Sequence, residues 1–385
     1  MAKYTIFSGD SHMSEPGNLW VERIDKEFRW RAPRVEKRER NGKLEDVFLY
    51  EGWPPHPVGV GLGAAAYTAG QKGQVAGYRA EGKGYEDALP GGWDPAARLL
   101  DQDLDGVDGE VLYTTLGFRQ FWIADPRLQR ACFRVYNDWL SEFCSYSPRR
   151  FIGLALISMN DIEEARIELR RAAKLGHHGA MIGTTPPPTC APYKSKIYDP
   201  FWAEAQDLNM TLVLHENTGG DESRSASSSS YWDEDQTMGP LVRPHEVQRS
   251  LGHIIVSGVL ERFPHLRFVV AEQGTDWLPY FVRRLERIKG GDTSYETRLS
   301  MKPIEYLHRQ VFFTYMDDPN IVRERELIGI DNLLFATDYP HSASSWPHSQ
   351  PLVERDMANV PETECRKMIH DNTLSVFNIA APVLA

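Results

Sequence analysis

Cysteine is scarce in this chain: Cys132, Cys144, Cys190 and Cys365 are the only four among 385 residues, and no two stand close together. That excludes a disulfide framework able to staple a protein of this size and a paired-cysteine metal knuckle, so reduced thiols are expected. Positive charge is also in deficit. The 43 Lys and Arg face 54 Asp and Glu, a formal net charge of -11, which argues against a broad phosphate-binding surface and against nucleic acid as a partner. The opening MAKYTIFSGD has no continuous apolar segment of the signal-peptide kind, and no later stretch is long and apolar enough to span a bilayer. A soluble, cytoplasmic protein with no membrane partner is therefore expected. A glycine-rich nucleotide loop opening the first helix is missing too. GVGLG at 59–63 lies in a Pro- and Gly-rich stretch, not between a credible strand and its helix, and reads as a flexible turn.

What is present is alternation. Hydrophobic residues make up 41% of the chain, enough for a large core and too many for a disordered scaffold. YTIFSG, VDGEVLYTT, FIGLALISM, HGAMIG, MTLVLHE, LRFVVAE, VFFTY and LLFATD are short apolar runs of strand character. Helical patterns separate them: DPAARLLDQDLDG ending near Gly106, residues 125–147, residues 161–175, DPFWAEAQDLN, residues 245–262, TDWLPYFVRRLERI, IVRERELIG and a last helix near 361–370. Strands buried on both faces suit a parallel sheet, and eight consecutive strand and helix units are the number of an α/β (β/α)8 TIM barrel. The whole of 1–385 is read as one such barrel. Residues 17–92, rich in Pro, Gly and charge, form a long excursion after the first strand, a lid or an oligomer contact. Within it EGWPPHPVGVGLGAAAYTAG makes a regular core element implausible.

The chemistry sits at the ends of strands. Asp10 and His12 have the two-residue spacing that places both side chains on one face of an extended strand. His215 closes MTLVLH and Asp338 closes LLFATD, so a barrel carries all four to its C-terminal rim. A divalent transition metal, zinc or alternatively manganese, would accept this mixture of oxygen and nitrogen donors and leave a position for water or substrate. Separate tasks for the four are the competing assignment: Asp10 as a cap, His12 and His215 as hydrogen-bonded rim residues, Asp338 as a salt-bridge partner. It is the less economical one, because inward carboxylates must be paired, protonated or liganded.

Glu272, which ends LRFVVAE, reads as a ligand, a proton-transfer group or the partner of an imidazole, with an ordinary buried acceptor as the alternative. His341, in DYPHS, would orient substrate or exchange a proton, or else serve a tight turn with Pro340. Arg119 in TTLGFRQFW would pair with a substrate carboxylate, or take a salt bridge. Glu15 and Pro16 extend DSHMSEP, where Glu15 would hydrogen-bond a metal ligand or shape a turn. His253, on an apolar helix, and His177 and His178, at the stability end of their strand, are assigned to packing or hydrogen bonding, and Trp277 and Tyr280 to core packing.

Together DSHMSEP, TLVLHE, VVAEQGTDWLPY and FATDYPHSASSWP resemble the amidohydrolase-2 branch of the amidohydrolase superfamily, which includes the 2-amino-3-carboxymuconate semialdehyde decarboxylase-like proteins. The resemblance spans nearly the whole chain. It implies a metal-dependent barrel in which Asp10 and His12 match the first-strand metal pair, His215 the later histidine ligand and Asp338 the last-strand carboxylate. The implied activity is nonoxidative decarboxylation, or related carbon-carbon lyase chemistry, on a small planar carboxylic acid. Asp338, Glu272 and His341 are the candidates for proton transfer, Arg119 holds the substrate, and no redox cofactor is needed. Decarboxylases of that branch commonly end the sixth strand with a histidine in an AHxG-like setting, where this chain has Glu272 in AEQG. Hydrolysis of an amide, ester or lactone by metal-activated water is the alternative, and a noncatalytic metal-binding interaction domain the third. A homodimer or higher homo-oligomer is expected.

Overall fold

The apolar runs form strands because nothing in them alternates toward water. In the computed structural model, which describes residues 3–40, 42–59, 61–63, 83–220, 234–288 and 299–380, β1 (Ile6–His12) is buried along its whole length. The strands of the excursion follow as β2 (Arg34–Arg40), β3 (Lys43–Leu49) and β4 (His56–Pro57). After them come β5 (Val107–Tyr113), β6 (Phe151–Leu156), β7 (Gly179–Ile182), β8 (Thr211–His215), β9 (Phe268–Ala271), β10 (Val311–Tyr315) and β11 (Leu333–Phe335). β1 and β5 to β11 make one eight-stranded sheet in chain order, with parallel pairing. The fold class is the (β/α)8 barrel expected from the alternation.

By internal contact the chain divides into two units, Met1–Leu154 with Ala336–Val353, and Ala155–Phe335 with Glu354–Ala385. In the first, the helix Pro95–Asp105 starts where the Asp94 carboxylate accepts from the amides of Ala96 and Ala97, and stops at Gly106, whose φ of 69° favours a residue without a Cβ. The segment after β11 is bonded to β1: Thr337 N–H donates to Ser8 Oγ at 3.0 Å, Asp338 N–H to the Asp10 carbonyl at 3.0 Å and His12 N–H to the Tyr339 carbonyl at 2.6 Å. These bonds place the 338 carboxylate beside the Asp10 and His12 side chains. The excursion is more regular than expected. Arg34–Arg40 and Lys43–Leu49 pair as an antiparallel hairpin, and His56 and Pro57, inside the stretch expected to hold no regular element, pair with Phe48 and Val47 as a third strand. Gly61 in the GVGLG turn comes so close to Thr115 that a Cβ there would lie 2.8 Å from the threonine methyl. Residues 60 and 64–82 lie outside the described residues.

In the second unit, the helix expected over 245–262 is split. It runs over Glu234–Val256 and resumes over Val259–Arg262, because Gly258 takes a φ of 79° between them. IVRERELIG is likewise two short helices, Pro319–Arg323 and Arg325–Ile328, ended at Gly329. The last helix passes from Glu362–Arg366 through a π turn into Asn372–Val376. Most of the Gly- and Ser-rich loop expected over 217–230 lies outside the described residues. All four cysteines are unbridged thiols. Among the described residues no helix is long and apolar enough to cross a membrane.

Candidate metal centre

The first unit assembles its site from the end of β1, the turn after β5 and the segment after β11. Asp10, His12 and Asp338 are buried. His12 Nδ1 donates to the Thr114 carbonyl at 2.9 Å, and the ring is fully enclosed. Burial, reinforced by the nearby His341, lowers its pKa to about 4, so the imidazole is neutral at pH 7. With Nδ1 carrying the proton, Nε2 must present its lone pair. That lone pair faces Asp10 Oδ1 at 3.4 Å and Asp338 Oδ1 at 3.2 Å. Burial alone would push the Asp338 carboxyl up, yet the group is held below the usual carboxylate range, foremost by the His341 imidazole beside it. Three electron-rich atoms thus converge in a buried place, an arrangement that a cation stabilises and that fits the donor preferences of a divalent metal.

His341 stacks on His12 with ring centroids 3.9 Å apart. Its Nδ1 lies 2.9 Å from Asp338 Oδ1 and its Nε2 2.9 Å from Thr115 Oγ1. Asp338 itself is not the last residue of the strand. It lies three residues past Phe335 with a left-handed φ of 55°, a conformation in which Asp and Asn are the least strained side chains after glycine.

In the second unit, His215 ends β8 and is buried. Its Nδ1 donates to the Glu216 carbonyl at 2.8 Å, which again leaves Nε2 with its lone pair, 3.2 Å from Glu272 Oε2. Thr184 and Thr218 each donate a hydroxyl to the His215 carbonyl at 2.7 Å, fixing the strand end. Glu272 follows β9 with a φ of 53°, and its amide donates to Thr314 Oγ1 at 3.1 Å. The left-handed backbone turns the glutamate out of the strand's in-and-out alternation, and its side chain meets the imidazole. Sequence reasoning missed Thr114, Thr115, Thr184 and Thr218. Their signal was modest: hydroxyls immediately after apolar strands.

The remaining candidates divide. Arg119 Nη2 lies 3.1 Å from His56 Nε2 of the excursion, its guanidinium over the Trp122 ring. Glu15 is buried and does not touch an imidazole; it accepts from the turn 114–117. Burial pushes its carboxyl up while those bonds pull it back. His178 Nδ1 donates to the Phe377 carbonyl, His177 is buried at the start of β7, and Trp277 packs on Phe281 and Phe313. Tyr280 corrects its assignment to the core: it is 66% exposed, because the helix Leu278–Glu286 buries Leu278, Val282 and Leu285 instead.

The neutral His12 predicts how the metal-free protein responds to acid. Its folded pKa of about 4 lies below the ordinary 6.5, so between those values the unfolded chain binds a proton that the folded chain refuses. Stability is then fully present above pH 6.5 and declines as pH falls toward 4, by about 3 kcal/mol from this group. Asp338, also held low, gives up its contribution only at still lower pH. Urea midpoints measured across pH 4–7 in the presence of chelator should fall on acidification for the native chain and fall measurably less for His12→Gln.

The amidohydrolase family pattern matches residues 65–379. A gamma-resorcylate decarboxylase of a Rhizobium species is 25% identical over 297 residues, covering 70% of this chain and 85% of that protein. An amidohydrolase structure from Mycobacterium avium subsp. paratuberculosis superposes with a TM-score of 0.77 at 20% identity, over 99% of this chain and 100% of that one. A dihydroxybenzoic acid decarboxylase from a Polaromonas species, solved with manganese and 2-nitroresorcinol, superposes with a TM-score of 0.60 at 23% identity, over 73% of this chain and 85% of that one. With the family pattern covering most of its length, this chain belongs to the amidohydrolase family.

Proposed function

We propose that this protein is a metal-dependent nonoxidative decarboxylase of a small, planar carboxylic acid, with Asp10, His12, His215 and Asp338 holding one divalent ion. The observation that carries the reading is the neutral His12 Nε2 lone pair set against two carboxylate oxygens. Asp10, His12, Asp338 and His341 in the first unit, and His215 and Glu272 in the second, each offer a ligand atom suited to a metal. The similar decarboxylases, one of them solved with manganese, favour this chemistry over hydrolysis. Manganese is thus as good a candidate as zinc.

A divalent ion at this position would polarise the oxygens of a bound substrate and offset the charge of the carboxylates around it. The protein's own residues do the rest. Arg119 pairs with a substrate carboxylate, and the buried His12 and Phe118 rings, 5.6 Å apart, keep water from one wall. In the reaction the bond between the carboxyl carbon and the substrate carbon that bears it breaks. The electron pair stays on the substrate carbon, a proton from the enzyme joins that carbon, and carbon dioxide leaves. Asp338, Glu272 and His341 are the groups for that proton, which solvent replaces. The excursion over 17–92 serves as substrate cover or as contact in a homo-oligomer, and the four unbridged thiols agree with a cytoplasmic setting.

Metal analysis of the purified protein combined with product analysis across hydroxybenzoates, dienoic acids, lactones and amides tests the reading. We expect one bound divalent ion per chain and one carbon dioxide released per acid consumed. Hydrolysis products without carbon dioxide would transfer the assignment to the hydrolase chemistry, and a native protein that takes up no metal would sink the site.

A further inference from the structure

Glu15 is a fully buried carboxylate with no place in the chemistry above. Four donors converge on it from one turn. Thr114 donates its hydroxyl to Oε1, and the backbone amides of Thr115, Leu116 and Gly117 donate at 3.1, 2.9 and 3.3 Å. Thr114 Oγ1 also accepts from the Gly117 amide at 2.9 Å, so the carboxylate and the hydroxyl lock the turn as one unit. Each charge-assisted bond is worth more than a neutral one, and a buried carboxylate is tolerated only when it is satisfied in this way.

The same turn makes the two contacts that set the histidines of the first unit. Its Thr114 carbonyl accepts from His12 Nδ1, which decides that Nε2 is the nitrogen turned toward Asp10 and Asp338. Its Thr115 hydroxyl meets His341 Nε2, leaving Nδ1 for Asp338. We infer that Glu15 is a positioning residue for the metal centre, acting through the Thr114–Gly117 turn to hold the tautomer of His12 and the orientation of His341. A carboxylate two bonds removed from the ligand thereby sets the ligand's basicity, as hydrogen-bond partners of metal-bound imidazoles generally do. This rests on the proposal that His12 ligates the ion, and the test separates the two.

The native protein, stripped of metal and titrated with Mn2+, should bind one ion; no binding by the native chain overturns the metal reading itself. Glu15→Gln places an amide N–H2 against donors, loosening the turn without changing side-chain size. It should weaken Mn2+ binding about tenfold or more. Nitrogen-15 spectra of the metal-free variant should show His12 exchanging between its two neutral tautomers, where the native protein shows only the Nδ1-protonated form. A role confined to packing would lower the melting temperature and leave the tautomer alone. Should Glu15→Gln fail to fold, Thr114→Val cuts the side-chain link alone and is read the same way, with a severalfold loss of affinity. Native Mn2+ affinity together with a single native His12 tautomer in whichever variant folds overturns the inference.

Discussion

Asp338→Asn is expected to lower the rate of carbon dioxide release by about three orders of magnitude, the combined scale of losing a proton-transfer group and a charged ligand. The carboxylate faces both His12, at 3.2 Å, and His341, at 2.9 Å. The His341 imidazole foremost holds it below the usual carboxylate range. Asparagine matches it in shape and tolerates the left-handed φ of 55°, so the loss is one of charge and not of fold. A neutral amide would also remove the anion that faces His341 Nδ1 at 2.9 Å. Far-ultraviolet circular dichroism should stay near native, while metal content, measured in the same samples, falls. A variant within tenfold of native turnover would remove Asp338 from both roles.

The barrel was legible because its signal is repetitive: eight apolar runs, each bounded by a helix, leave few other ways to bury both faces of a strand. The Asp10 and His12 pair was legible for the same reason, since strand geometry alone puts residues two apart on one side. Elsewhere local pattern and tertiary demand part company. Asp338 and Glu272 were read as the ends of strands, yet both lie beyond them in left-handed backbone. That conformation is uncommon for residues with a side chain, less so for Asp than for Glu, and no local pattern announces it. The break at Gly258 was written as a single glycine in an apolar helix, a weak sign on its own.

The excursion shows a signal that was present and unused. RVEKRER and KLEDVFL flank the dipeptide Asn41-Gly42, a sequence signal for a β-hairpin, and the two runs pair in register from Arg34 with Leu49 to Arg40 with Lys43. Glu15 is the opposite case. Its four donors come from residues 114–117, and no pattern within DSHMSEP announces partners so distant in the chain. Only the folded structure shows that a residue assignable to a local turn fixes the turn behind His12 instead.

Glu272→Gln should reduce turnover about a hundredfold or more while the metal stays bound, if Glu272 moves the proton. The geometry favours that role. His215 Nδ1–H is engaged by the Glu216 carbonyl, so Nε2 presents a lone pair to Glu272 Oε2 at 3.2 Å, and two acceptors at that distance need a cation or a proton to share. Glu272 is part-exposed where His215 is buried, which gives its carboxyl access to solvent for reprotonation after each cycle. An amide keeps the size and the left-handed backbone at 272 but can neither lose nor regain the proton. One limb of the pH-rate profile should therefore disappear along with the activity, with KM little changed. Loss of metal in step with loss of activity would instead make Glu272 a ligand, and turnover within a few fold of native would remove it from proton transfer.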